Sequence, residues 1–205
     1  MALIHRKKHL PHPTLWLFTD ERVSEGALLS AVARLPRGSG VLFRHASLTP
    51  DGRKALFERV RLLARRGGKT LILAGTALEA QAWKADGWHS KASAHRHARH
   101  RSRKPMIATH AAHNPHELYS ASRSGADVVF VSPVFATRSH PEAKGLGRIR
   151  LGLMIRNAHV AIMALGGMTP HRSRSLRILG ISGWGAIDAL TAAAPLTAVQ
   201  TQIRI

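Results

Sequence analysis

An α/β fold on parallel strands, taking the form of a single compact (β/α)8 TIM barrel, is predicted from three observations. Eight short apolar runs recur along the chain, helical patterns with start and stop signals lie between them, and 205 residues are enough for eight such units. Strands separated by helices pair in parallel through right-handed crossovers. Alternation alone does not decide closure, and a doubly wound open sheet is the structural rival.

The candidate strands are Leu15–Phe18, Gly40–Phe43, Thr70–Leu73, Asp86–His89, Met106–Ala108, Val128–Val131, Ala161–Ala164 and Gly183–Ile187. The fourth is the poorest in strand-forming residues. Thr49-Pro50-Asp51 opens a helix whose Leu56, Val60 and Leu63 share a face, and Gly67-Gly68 stops it. Asn114-Pro115-His116-Glu117 combines an N-cap, a first-turn proline and a Glu three residues on, with Gly125 at the far end. After the seventh run, Gly166-Gly167 leads into a helix predicted from Pro170 to Leu179. Thr169 is its N-cap and Gly180 its left-handed terminator. Residues 1–13 read as a basic extension, residues 14–205 as one domain, and the tail after Leu190 has no assigned element.

Composition narrows the function classes. No apolar run reaches membrane-spanning length. The first ten residues lack a signal peptide's apolar segment, so the cytoplasm is the expected location. There is no cysteine, hence no disulfide framework and no thiolate metal site. The formal charge is +20, with 14 histidines besides, which favours anionic partners. The run His95–Lys104 concentrates five cations and three histidines. A solvated basic face, a polyanion contact and metal binding are the readings of this run. It lacks aromatic residues to stack bases, and its histidines follow no known metal spacing, so nucleic acid is not the favoured partner.

In a barrel the loops after the strands carry function. This directs attention to Thr19, Asp20, Arg44, Ala74, Gly75, His89, Thr109, His110, Pro133 to Gly147, Gly166, Gly167 and Asp188. The Gly166-Gly167 turn stands out: glycines let a ligand approach the backbone closely at a helix start, an arrangement that suits phosphate. As a bare pattern it also reads as an ordinary strand-to-helix turn.

Gly125-Ala-Asp-Val-Val-Phe-Val-Ser-Pro-Val-Phe-Ala-Thr137, Gly145-Leu-Gly147, Ala164-Leu-Gly-Gly-Met-Thr-Pro170 and Gly180-Ile-Ser-Gly-Trp-Gly-Ala-Ile-Asp188 follow one another in a spacing that resembles the thiamine phosphate synthase/TenI-like family of βα barrels. His113–Leu118, Leu15–Asp20, Val41–Arg44 and Asp86–His89 extend the resemblance toward the N-terminus. It implies a transferase of thiamine biosynthesis that joins a hydroxymethylpyrimidine diphosphate to a thiazole phosphate. Catalysis of that kind is stabilisation of the departing diphosphate plus positioning.

Carried over position by position, the resemblance implies that Gly166, Gly167 and the Ile187–Asp188 backbone bind the thiazole phosphate, with hydroxyls from Thr137 and Ser139. Arg44 remains at the diphosphate end as a catalytic candidate. His140 is the second catalytic candidate, standing where the family has a lysine. The departures are specific. The Gln-x-Arg-x-Lys pattern of the second strand reads Leu42-Phe-Arg-His-Ala46, and Asp188 replaces a serine. The family's Mg²⁺ is implied as cofactor, but its acidic positions hold Ala74-Gly75 and Ala94, so no metal ligand is assigned, and that loss counts against Mg²⁺-dependent turnover. His110 and His140 are the histidines considered for acid–base work of the tautomerase kind, Pro133 standing where that branch has its histidine. Asp127 reads as a turn residue. Three readings follow: a synthase; a phosphate-binding regulatory barrel without turnover, or a tautomerase; and a polyanion binder using residues 95–104. Small phosphorylated metabolites are the expected partners, a membrane is not, and the sequence does not disclose an oligomeric state.

Overall fold

The computed structural model describes residues 12–91, 106–139 and 142–192. The larger part of the basic extension, the 95–104 run, Ala94, His140 and the chain beyond Ala192 lie outside the described residues.

Eight parallel strands close into a barrel in sequence order. They are β1 Leu15–Phe18, β2 Gly40–Phe43, β3 Thr70–Ala74, β4 Gly87–Lys91, β5 Ile107–Ala112, β6 Val128–Val131, β7 Ala161–Ala164 and β8 Gly183–Ala186. Closure is the pairing of β1 with β8, Leu15 opposite Trp184 and Leu17 opposite Ala186, which rules out the open sheet. Around the barrel, among the described residues, lie α1 Glu25–Arg34, α2 Pro50–Arg66, α3 Ala77–Ala82, α4 Pro115–Arg123, α5 Gly147–Ile155, α6 Pro170–Leu176 and α7 Asp188–Thr191. Among the described residues, no helix is long and apolar enough to cross a membrane.

The local signals act as their chemistry requires. Thr49 Oγ1 accepts from Gly52 N–H at 3.3 Å to start α2. Asn114 Oδ1 accepts from Glu117 N–H at 2.9 Å, and Glu117 reaches back to the N–H of His113 at 2.7 Å. Thr169 Oγ1 accepts from Arg172 N–H at 3.2 Å. The helix expected from Pro170 to Leu179 stops at Leu176 and finishes as a 3-10 turn, Arg177–Leu179, before Gly180 at φ +80°. Four strand bounds also differ from expectation. β3 gains Ala74, β4 runs Gly87–Lys91, β5 starts at Ile107 and runs on to Ala112, and β8 ends at Ala186. The fifth strand was underestimated because Thr109-His110-Ala111 breaks its apolar run, and the ladder to β6 carries it onward, His110 opposite Val129 and Ala112 opposite Val131.

The side-chain period of two sorts each strand into an inner and an outer face. Trp16, Phe18, Leu42, Ile72, Val128, Phe130 and Met163 fill the barrel. Their neighbours Leu15, Leu17, Val41, Phe43, Leu71, Leu73, Val129, Val131, Ile162 and Ala164 face the helices. Phe130 is met edge-on by Phe18 at 4.8 Å and by Trp16 at 5.3 Å. The indole of Trp16 lies where a Cβ on Gly40 would be, so glycine at that strand position makes room for the large ring. Its Nε1–H donates to Pro13 O at 2.7 Å. At the opposite end from the mouth, Asp86 and Asp127 each accept the N–H of the second residue of the preceding strand, from Leu71 at 2.8 Å and from Ala108 at 2.9 Å. Asp127 is therefore a turn residue that fixes the β5–β6 register, far from where the strands end.

Candidate functional site

The mouth of the barrel is built from the segments that follow β1, β2, β6, β7 and β8. After β7 the chain turns through Gly166 at φ +90° and Gly167 at φ +59°, a region that favours glycine. The loop after β6 rests directly on this turn. A Cβ on Gly166 would stand 2.8 Å from Pro133 Cα, and one on Gly167 would overlap Ala136 O. Val134 N–H donates to Leu165 O at 2.8 Å and Phe135 N–H to Gly166 O at 3.1 Å. The Arg172 guanidinium donates to Gly167 O and lies over the Phe135 ring at 4.8 Å.

These contacts orient the amides. In a trans peptide the N–H points opposite to the preceding C=O. The carbonyls of Leu165 and Gly166 both face the β6 loop, so the N–H groups of Gly166 and Gly167 both point away from it. β8 and its Ile187–Asp188 turn lie on that other flank of β7. Among the described residues, neither glycine N–H has an acceptor. Thr137 and Ser139 sit in the same β6 loop, the Thr137 hydroxyl accepting from Ser139 N–H at 3.4 Å.

The charged part of the mouth centres on Asp20, just past β1. Arg44, one residue beyond β2, donates from Nη2 to Asp20 Oδ2 at 2.8 Å and from Nε to Thr19 O at 2.7 Å. Its backbone N–H donates to Thr19 Oγ1 at 2.9 Å, and its guanidinium lies over Phe18 at 5.9 Å. Arg22 donates from Nε to Asp20 Oδ1 at 2.8 Å and from Nη2 to Ser139 Oγ at 2.8 Å. The same Nη2 is 3.8 Å from Asp188 Oδ1. Burial pushes the Asp20 carboxyl up, yet the hydrogen bonds from Arg22 and the charge of Arg44 outweigh it and hold it below its ordinary value. Burial lowers Arg44, against the opposing pull of Asp20.

His89 projects into the barrel beneath this cluster, edge-on to Phe130 at 5.8 Å and Phe18 at 6.3 Å. Thr109 Oγ1 gives its proton to Trp88 O at 3.2 Å and therefore accepts from His89 Nδ1–H at 2.9 Å. Burial, with the positive fields of His110 and Arg44, lowers His89 to about 3. It is a neutral, packed ring at physiological pH. His110, expected among the mouth residues, is on the outer face of β5, between Thr109 and Ala111 on the inner one. Its Nδ1 is hydrogen-bonded to Ser90 Oγ at 2.9 Å. Period two sends it toward the helices and corrects that expectation. His140 lies outside the described residues.

All 11 carboxylates of the chain fall within the described residues. Those near the mouth are committed. Asp20 holds Arg22 and Arg44, Glu21 accepts from Ser47 N–H at 2.9 Å, and Glu79 takes Arg53 at 2.5 Å. Asp188 is beside Arg22. Among the described residues, no group of three or more His, Asp or Glu comes together as a metal site. Mg²⁺ prefers carboxylate oxygen, and a donor set already spent on guanidinium and backbone N–H does not fit it.

Arg22 is the residue that reading the sequence missed. It stands two positions past the Thr19-Asp20 pair, and only the closed barrel brings it to Ser139, 117 positions away. A basic residue shortly after a mouth carboxylate was the available signal.

The family described as thiamine monophosphate synthase matches the chain over residues 15–190. The thiamine-phosphate synthase of Chloroflexus aurantiacus is 30% identical over 204 residues, covering 96% of this chain and 93% of that one. That of Geobacillus thermodenitrificans is 30% identical over 198 residues, with 90% and 87% covered. The solved thiamine phosphate pyrophosphorylase of Pyrococcus furiosus shares the fold, with a TM-score of 0.73 at 19% identity and 89% of each chain covered. With a closed parallel barrel and a matching stretch that runs from the first strand to the last helix, the chain belongs to the thiamine monophosphate synthase family of thiamine biosynthesis.

Proposed function

We propose that this barrel binds a thiazole phosphate and couples it to a hydroxymethylpyrimidine diphosphate, as the names of its relatives suggest. The observation that carries the reading is the pair of N–H groups on Gly166 and Gly167, without an acceptor among the described residues and turned away from the β6 loop by their own peptide geometry. A phosphate has oxygens for several such donors, and main-chain amides are fixed before the ligand arrives. The Ile187–Asp188 backbone and the hydroxyls of Thr137 and Ser139 complete this end. Arg44, braced by Asp20 and Thr19, meets the charge that builds on the departing diphosphate. His140 is assigned to the same end from its position in the sequence. The mouth carboxylates, paired with arginines and backbone N–H groups, do not fit Mg²⁺.

A second reading, a phosphate binder without turnover, is favoured by those committed carboxylates. One experiment separates the two. Purified protein is titrated with thiazole phosphate, with and without EDTA, and assayed with both substrates for thiamine phosphate. Binding that survives EDTA, together with product formation, is the expected result. Binding without product selects the second reading. Loss of binding on adding EDTA, or unchanged binding in Gly167→Asp, refutes the assigned site.

A further inference from the structure

Groups from three separate loops, Asp20 after β1, Ser139 after β6 and Asp188 after β8, surround the Arg22 side chain. Its Nε and Nη2 grip the two oxygens of Asp20 at 2.8 and 3.3 Å. Arg44 approaches the same carboxylate from the β2 side at 2.8 Å. Asp20 is thus shared between two guanidinium groups. From this brace Nη2 extends to Ser139 Oγ at 2.8 Å and stops 3.8 Å from Asp188 Oδ1. A charge-assisted hydrogen bond between guanidinium and carboxylate closes to about 2.7–2.9 Å, so the contact with Asp188 is an ion pair without the bond. Planar guanidinium carries five donors in a fixed fork that matches phosphate oxygens, and Arg22 is 42% exposed, so a ligand can reach it.

The two residues at its tip are those that the phosphate reading sets around the ester, and the inference rests on that reading. We propose that Arg22 is a phosphate-contacting residue of this site, with Asp188 as its resident counter-ion until a phosphate takes the carboxylate's place. The exchange replaces a long ion pair by a short charge-assisted bond. It also resolves a difficulty left by the sequence: a carboxylate beside a bound phosphate is repulsive, and Arg22 stands where it offsets that charge.

The test measures the affinity for inorganic phosphate by calorimetry at low salt, in the absence of divalent cation. It compares the unaltered chain with R22Q, R22K, D188S and the double variant R22Q/D188S. Loss of a charged hydrogen bond corresponds to a weakening of about 10-fold or more in R22Q. R22K recovers part of it, keeping the charge but not the two-pronged hold on Asp20. D188S tightens binding, and it does so by a larger factor on the unaltered background, where phosphate has to displace the carboxylate from its ion pair with Arg22, than on the R22Q background, where only the repulsion is relieved. A structural ion pair would instead lower the unfolding temperature without this coupling. Phosphate binding that is equal in R22Q and the unaltered chain overturns the inference while leaving the phosphate site intact, as do strictly additive effects of the two substitutions. Failure of the unaltered chain to bind phosphate overturns both.

Discussion

Alanine at Gly167 separates the two things that the turn after β7 does. The residue sits at φ +59°, and an L side chain in the left-handed region costs about 1–2 kcal/mol. Its Cβ would also overlap Ala136 O and approach Phe135 Cβ to 3.0 Å, so the β6 loop has to shift. Overpacking of that kind costs roughly 1–3 kcal/mol. Gly180 is the internal control. Its φ is +80°, and a Cβ there meets nothing within 4 Å, so Gly180→Ala carries the backbone penalty alone. The expected losses are about 1–2 kcal/mol for Gly180→Ala and about 2–5 kcal/mol for Gly167→Ala. Urea unfolding followed by circular dichroism measures both, and phosphate titration of the same samples measures the site. Only Gly167→Ala is expected to weaken phosphate binding, because only there does the added atom displace the loop that orients the amides. Equal losses in stability would refute the contact between loop and turn. A destabilised Gly167→Ala with unchanged phosphate affinity would refute the role of the amides.

Two further outcomes follow from the charged and buried groups. His89 is lowered from 6.5 to about 3 in the folded chain, so it stays neutral there while the unfolded chain takes up a proton below about pH 6.5. Its contribution is present above that pH and is lost as pH falls toward 3, at about 1.4 kcal/mol per unit. Between pH 7 and pH 5 the unaltered protein should therefore lose about 2 kcal/mol more stability than His89→Gln; parallel pH profiles from denaturant titrations would count against a neutral, buried ring. Asp127→Ala removes the acceptor of Ala108 N–H and should cost about 1–3 kcal/mol in unfolding free energy. Its phosphate affinity should equal that of the unaltered chain, and a change in affinity would contradict its placement away from the mouth.

Much of this was legible in the sequence because it is written in short-range chemistry. A Thr or Asn three residues before a matching N–H, with a proline after it, marks a helix start whatever lies beyond, and Thr49, Asn114 and Thr169 all cap as expected. Strands buried on both faces read as apolar runs, and four of the eight were bounded to the residue. Where polar residues enter the barrel, the period was harder to see. Thr109 and His110 shorten the apparent fifth strand, and they also leave undecided which of the two faces the mouth. The left-handed glycines after β7 were recognisable as a place where the backbone could be approached, but not the direction of its amides.

By itself the sequence determined the elements, their order and the Gly166-Gly167 turn, since each depends on residues within a few positions of one another. Only the tertiary structure decided closure, through the pairing of Leu15 with Trp184. Only closure brought Arg22 to Ser139 and Asp188. Loops after the first, sixth and eighth strands have no local reason to meet. They converge because the hydrogen bonds of a twisted parallel sheet are satisfied at both edges when it closes on itself, and the strand ends then form one ring.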